Sequence, residues 1–255
     1  MSLHARTLVV SGVRRAVSPV GIGLFVAFCL ALAAFAAAVN TVLTAVAGTS
    51  LPLGVVIPEY GVALSVHPVV AALVAPVTLL VTAFVVVVGS RLLLGDTVSR
   101  WSDPVECLTD RIVPATALTL VSVAVILPSV ALGTLLLVVP GLVLAGHFLF
   151  VPSVLATERT SLLAAFRTSW QRARGDRLDL VTATVVLVGP AAVVFGGATV
   201  SYVLPATVEF ALGVVVGAAL LTLWLGVATE AYAQTSTASN RSAPTSRNRR
   251  ASRAL

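Results

Sequence analysis

The groups in this chain that could do chemistry are few and scattered. Its three histidines, His4, His67 and His147, fall in three separate regions, and its two cysteines stand far apart, Cys29 inside an apolar run and Cys107 in a charged loop. Zinc and redox sites need such residues at paired short intervals, and neither set supplies them, so both thiols are expected to be free. Hydrolysis asks for a nucleophile beside a base, facing carboxylates or a metal cluster. The chain holds no HExxH, CxxC, GxSxG or Walker A pattern. Asp96, Asp103, Asp110, Asp176 and Asp179 stand near arginines, the arrangement of solvated charge pairs. Ion-coupled transport places acids or histidine at mid-membrane depth. Only His147 is deep in an apolar run, about 15 Å from its charged end at 1.5 Å per residue. Without a carboxylate beside it, His147 is expected to be a neutral, hydrogen-bonded structural residue, as is Asn40. No enzymatic activity, cofactor or metal is expected.

The elements that must carry these residues are apolar. Of 255 residues 58% are hydrophobic and 10% charged, with a mean hydropathy of +1.05, whereas a soluble domain has about 25% charged residues. That difference excludes an ordinary soluble globular protein. All sixteen basic residues are arginine, and against ten acids they give a net charge of +6. In a soluble protein this surplus would suggest nucleic acid; beside apolar runs it is first an orientation signal, and no nucleic-acid partner is expected. The exclusive use of arginine is what a GC-rich genome produces.

A helix needs about 20 apolar residues to cross a bilayer. Val17 to Ala47 and His67 to Ser90 lack Asp, Glu and Arg, Ile112 to Thr157 runs 46 residues without one, and Leu180 to Thr229 is interrupted only by Glu209. The 46-residue run would make a helix about 69 Å long, more than twice the apolar core, so it must fold back. Pro128-Ser129 with Gly133 is the favoured turn and Pro140-Gly141 the other, since each joins a helix breaker to a glycine. Pro205 divides the last stretch in the same way, and Gly189-Pro190 breaks the helix before it. The expected fold is therefore all-α and polytopic, with six transmembrane helices near 18–46, 67–90, 112–129, 132–156, 180–202 and 208–232. Pro140 and Gly141, like Pro190, become kinks. The first run is too long for a cleaved signal segment and counts as a helix.

With the N-terminus inside, all sixteen arginines fall in the cytoplasmic pieces 1–17, 91–111, 157–178 and 234–255, and the outer loops carry only Glu59 and Glu209. Such a partition supports six passes with both termini cytoplasmic, and defeats five. Trp101 and Trp170 fall inside, Tyr60 and Tyr202 outside, as interfacial anchors do. Amphipathic inner-surface helices are expected at Thr160 to Gly175, with Leu162, Leu163, Phe166, Trp170 and Ala173 on one side and Arg167, Arg172 and Arg174 on the other, around Val98 to Leu108, and at Leu8 to Arg15. The chain then divides into three units, 1–94, 95–156 and 157–234, each an inner segment followed by a helical hairpin. Gly213 and Gly217 form a GxxxG, and Ala27, Ala31, Ala34 and Ala38 line the first helix, permitting close packing. Residues 235–255, rich in arginine and serine, are expected to be a disordered cytoplasmic tail.

The stretch Leu135 to Asp176, through Val139-Pro140-Gly141, an apolar helix ending near Pro152, Ala165-Phe166-Arg167, Ser169-Trp170 and Gly175, resembles the multi-helix membrane domain found with some glycerophosphodiester phosphodiesterases and related prokaryotic membrane proteins. The resemblance covers about a sixth of the chain. It implies a six-helix module of prokaryotic cell membranes with architectural rather than catalytic motif residues. The phosphodiesterase chemistry of such proteins belongs to a separate soluble domain, and it does not carry over. The function expected is a non-enzymatic membrane module, with a small-molecule transporter or permease component as the alternative. Its expected partners are membrane lipids, anionic ones included, and a membrane protein or a second copy of the chain. Arg167, Arg172, Arg174 and Trp170 are the expected contacts to lipid headgroups.

Overall fold

The computed structural model describes residues 5–47, 62–95, 110–136, 138–158, 160–174, 178–186 and 205–242. Among them every regular element is a helix. These are α1 (Ala5–Ala16), α2 (Pro19–Ala47), α3 (Pro68–Leu94), α4 (Ile112–Leu136), α5 (Val138–Phe148), α6 (Val151–Thr157), α7 (Leu162–Ala173) and α8 (Ala206–Ser242), with residues 178–186 also helical. Among the described residues four helical segments, Pro19–Val46, Pro68–Leu94, Ile112–Val130 and Ala206–Ser236, are long and apolar enough to cross a membrane, which marks a multi-pass membrane protein.

Local chemistry sets the starts of the first long helices. The Ser18 hydroxyl donates to the Arg15 carbonyl at 2.6 Å and accepts from the Gly21 amide at 3.2 Å, so one side chain ends α1 and caps α2. Pro19 follows at the first helical position, where a missing N–H costs no bond. His67 plays the same part for α3: its Nδ1 accepts from the Val69 amide at 3.3 Å, and Pro68 follows it.

The run from Ile112 to Thr157 turns elsewhere than expected. Instead of ending near Pro128, α4 continues through it to Leu136, and the chain has reversed by the end of α6. That it reverses is shown by Ala156, which packs with Ala115 and Ile112 at the start of α4. Proline inside an apolar helix removes one amide donor, a loss that membrane helices tolerate, and the neighbouring Ser129 hydroxyl donates to the Val125 carbonyl at 2.7 Å. Pro140 and Gly141 lie in the opening turn of α5, where proline is compatible with a straight helix. The break that does interrupt the expected fourth pass falls at Leu149-Phe150, between α5 and α6, with Pro152 in the first turn of α6.

Two further boundaries shift. The last helix runs to Ser242, so residues 235–242 of the expected tail are helical; 243–255 lie outside the described residues, as do Pro190 and 187–202 of the expected fifth pass. The inner segment around Val98 to Leu108, Trp101, Tyr60, Tyr202 and Cys107 also lie outside them.

Packing builds two three-helix seams that share α3. Leu24 and Phe28 of α2, Val86 and Leu93 of α3, and Ala218 and Leu225 of α8 form one core, and Val87, Ala115 and Ala156 join α3, α4 and α6 in the other. Both run into a larger cluster at one end of the bundle. There Leu8, Leu94, Val154, Ala165, Leu180 and Ala231 bring α1, α3, α6, α7, residues 178–186 and α8 together.

Candidate functional site

Apart from Glu209 in the first turn of α8, the charged side chains of the described residues gather at that end. Arg15, at the end of α1, places Nε 2.6 Å from Glu230 Oε2 on α8, while its Nη1 donates to the Leu93 carbonyl at the end of α3. One guanidinium thus ties three helices. Arg91 is 3% exposed and donates from Nε to the Ala156 carbonyl at 2.9 Å, joining α3 to the end of α6. Nearby, Asp179 Oδ1 accepts from the Ala5 amide at 3.0 Å, a carboxylate at the N-terminus of α1 where the exposed amides favour negative charge.

Glu158 is the centre of a second group. Its Oε1 accepts from Arg172 Nη2 at 2.8 Å and from the Tyr232 hydroxyl at 2.9 Å. The Arg172 guanidinium carbon lies 4.7 Å from the centre of the Tyr232 ring, giving a cation–π contact in addition to the ion pair. Thr157 Oγ1 stands 2.9 Å from the Tyr232 hydroxyl. The group joins α6, α7 and α8 where each reaches the charged end.

Helix α7 docks on the break between α5 and α6. Its buried face is Ala165, Ser169 and Ala173. The Ser169 hydroxyl donates to the His147 carbonyl, a group whose ordinary donor four residues on is displaced by the break. Trp170 lies against the His147 ring at a centroid distance of 4.1 Å, and Phe166 meets Phe148 edge-on at 5.3 Å. His147 is 2% exposed, and its Nδ1 bonds to Val143 O at 2.7 Å within its own helix rather than to a neighbouring helix.

This docking redistributes the residues expected to meet lipid headgroups. Leu163, placed on the apolar side by sequence, is 81% exposed. At about 100° per residue it lies beside Arg167 and Arg174, whereas Arg172 falls about 140° round from Arg167. Arg167 and Arg174 are exposed on the outward side; Arg172 turns inward to Glu158, and Trp170 is half-buried on His147. The outward face is thus two arginines flanking a leucine.

Of the GxxxG pair, Gly217 makes the close approach: a Cβ there would lie 3.3 Å from Leu32 Cδ1 on α2, while one on Gly213 would meet nothing within 4 Å. A tighter approach between α1 and α8 joins two glycines that no local pattern links. A Cβ on Gly226 of α8 would fall 2.5 Å from the Gly12 carbonyl oxygen of α1, and one on Gly12 would fall 2.8 Å from Val227 Cα. Glu158, Glu230, Arg15 and Arg91 were likewise unmarked in sequence, because their partners lie on other segments. Their places, each at the end of an apolar run, hinted only at helix-end charges. Among the described residues no group of three or more His, Cys, Asp and Glu could hold a metal ion. No family model, curated protein or solved structure matches the chain.

Proposed function

We propose that this chain is a non-enzymatic membrane module whose charged inner face engages anionic lipid headgroups. In this reading it has six passes and both termini cytoplasmic, lies in a prokaryotic cell membrane, and belongs with the membrane domains associated with glycerophosphodiester phosphodiesterases. The observation that carries it is the outward face of α7, where Arg167, Arg174 and Leu163 stand exposed at the end of the bundle that gathers the other charges. An arginine pair beside an exposed leucine suits the boundary between headgroups and acyl chains. The placement of all sixteen arginines in alternate inter-helix pieces of the sequence supports the topology. Two of the motif residues behind the family resemblance pack on the apolar segment before Pro152, Phe166 on Phe148 and Trp170 on His147, which suits an architectural role. A protein partner or second copy would meet the same face.

Each arginine near an anionic leaflet gains about 1 kcal/mol, an attraction that salt screens. Replacing Arg167 and Arg174 with Gln, while Arg159, Arg172 and Arg177 remain to hold orientation, should lower the anionic lipid that accompanies the purified protein. Unchanged lipid content with retained topology would overturn the proposal. Arg172→Gln serves as the contrast: it should weaken folding in detergent and leave lipid content alone. The alternative, a small-molecule transporter, draws on the helix break at Leu149-Phe150 beside buried His147, since transporters place binding sites at such breaks. His147→Leu separates the two: reduced stability fits the module, and loss of a measured flux with normal folding fits the transporter.

A further inference from the structure

A hydroxyl inside an apolar helix ordinarily donates back to a carbonyl three or four residues earlier. Thr41, Thr78, Thr184, Thr222 and Thr229 all do so here. Four others do not. The side-chain oxygens of Ser90, Thr116, Thr119 and Ser153 are buried without a hydrogen-bond partner in the protein. Ser90, Thr119 and Ser153 are 0% exposed, so lipid headgroups and bulk solvent do not reach them.

All four sit on the helices of one seam. Helices α3, α4 and α6 meet at Val87, Ala115 and Ala156. Ser90 follows Val87 by three residues, Thr119 follows Ala115 by four and Ser153 precedes Ala156 by three, spacings that keep each hydroxyl on the face its helix turns to the seam. Thr116 adjoins Ala115. Four hydroxyls that forgo their own helix's carbonyls in one apolar seam are strongly destabilising unless something else bonds them.

The seam leads to a pocket at the charged end, lined by Arg91, Asp110, Arg111 and Glu158 together with Ala115 and Ala156. The two alanines belong to both, so pocket and seam are continuous. The formal charges of the four ionisable lining residues cancel, which favours an uncharged ligand over an ion. Seam contacts made by alanine and valine leave room only for a small one, and it must both donate to and accept from hydroxyls. We propose that the α3–α4–α6 seam is a water-binding site: a short file of ordered water enters from the pocket past Arg91 and reaches Thr119 and Ser153. Buried polar groups in proteins are commonly satisfied by such waters, each making two to four hydrogen bonds.

Hydroxyl radicals generated in place by a brief X-ray pulse mark side chains that touch bound water, even buried ones. In the unaltered protein, Val87, in the seam, should be labelled several-fold faster than Val227, which is equally buried against Gly12 in a glycine contact. Equal labelling of the two valines would overturn the proposal. The double variant Thr119→Val with Ser153→Ala keeps side-chain shape at 119, trims one atom at 153 and removes both bonding groups. If the seam is hydrated, this variant loses Val87 labelling and its Tm falls by about 3 °C or more. If the seam is dry, removing unsatisfied hydroxyls leaves Tm unchanged or raises it, and the proposal fails.

Discussion

At the scale of single residues, the arginines of this chain divide by what their neighbours offer. Arg172 and Arg167 stand five positions apart on one helix, yet Arg172 has Glu158 and the Tyr232 ring within reach and Arg167 is exposed. The ion pair is partly shielded, with side-chain exposures of 25% and 29%, so it is worth more than a fully solvated pair and less than a desolvated one. A double-mutant cycle with Glu158→Gln and Arg172→Met should give a coupling energy of about 1 kcal/mol, measured by unfolding in detergent. Coupling near zero would show that packing of the arginine stem, rather than the charge, secures α7. Arg111 is a different case: it enters α4 with φ of 49°, the left-handed region that glycine occupies more readily, and it lines the pocket at the mouth of the water-binding seam.

At the scale of elements, the long spans were legible because apolar length is written directly in composition. Helix α3 begins at Pro68 and α2 at Pro19, each one residue from its expected start. Proline positions were less legible. The same residue is a first-turn residue in α5, at Pro140, and an interior residue in α4, at Pro128, and sequence does not say which until the reversal point is fixed by packing. The apolar arc of α7 failed at Leu163 for a related reason. Periodicity defines a stripe about 100° wide but not its edges, and the edge was set by the seating of Ser169 and Trp170 on the α5–α6 break. The Gly12–Gly226 crossing was invisible, since it depends on two helices far apart in the chain. Gly226→Ala should destabilise the protein by about 1–3 kcal/mol, because its methyl meets backbone rather than a side chain that can move. Gly213→Ala should be neutral or slightly stabilising through helix propensity. Thermal unfolding of the two variants side by side checks both, and equal effects would mean that α1 shifts freely on α8.

At the scale of the whole molecule, the described charges other than Glu209 converge on one end, and the proposed six-pass topology has a direct test. A single cysteine introduced at Ser239 should resist an impermeant reagent in intact cells, and one at Thr49 should react; the reverse pattern would invert the bundle. The closure of α1 on α8 has its own bearing on how the chain is made. Arg15 and Glu230 are 215 positions apart, and at about 5–20 residues per second the ribosome delivers the second about 10 to 40 s after the first. Throughout that interval the face of α1 that will meet α8, through Gly12 and Ala16, has no protein to cover it. A short helix with one apolar side can wait on the bilayer surface, so the membrane serves as a temporary partner for α1 until α8 is inserted, and the last seam to close is the one that joins the earliest helix described here to the latest.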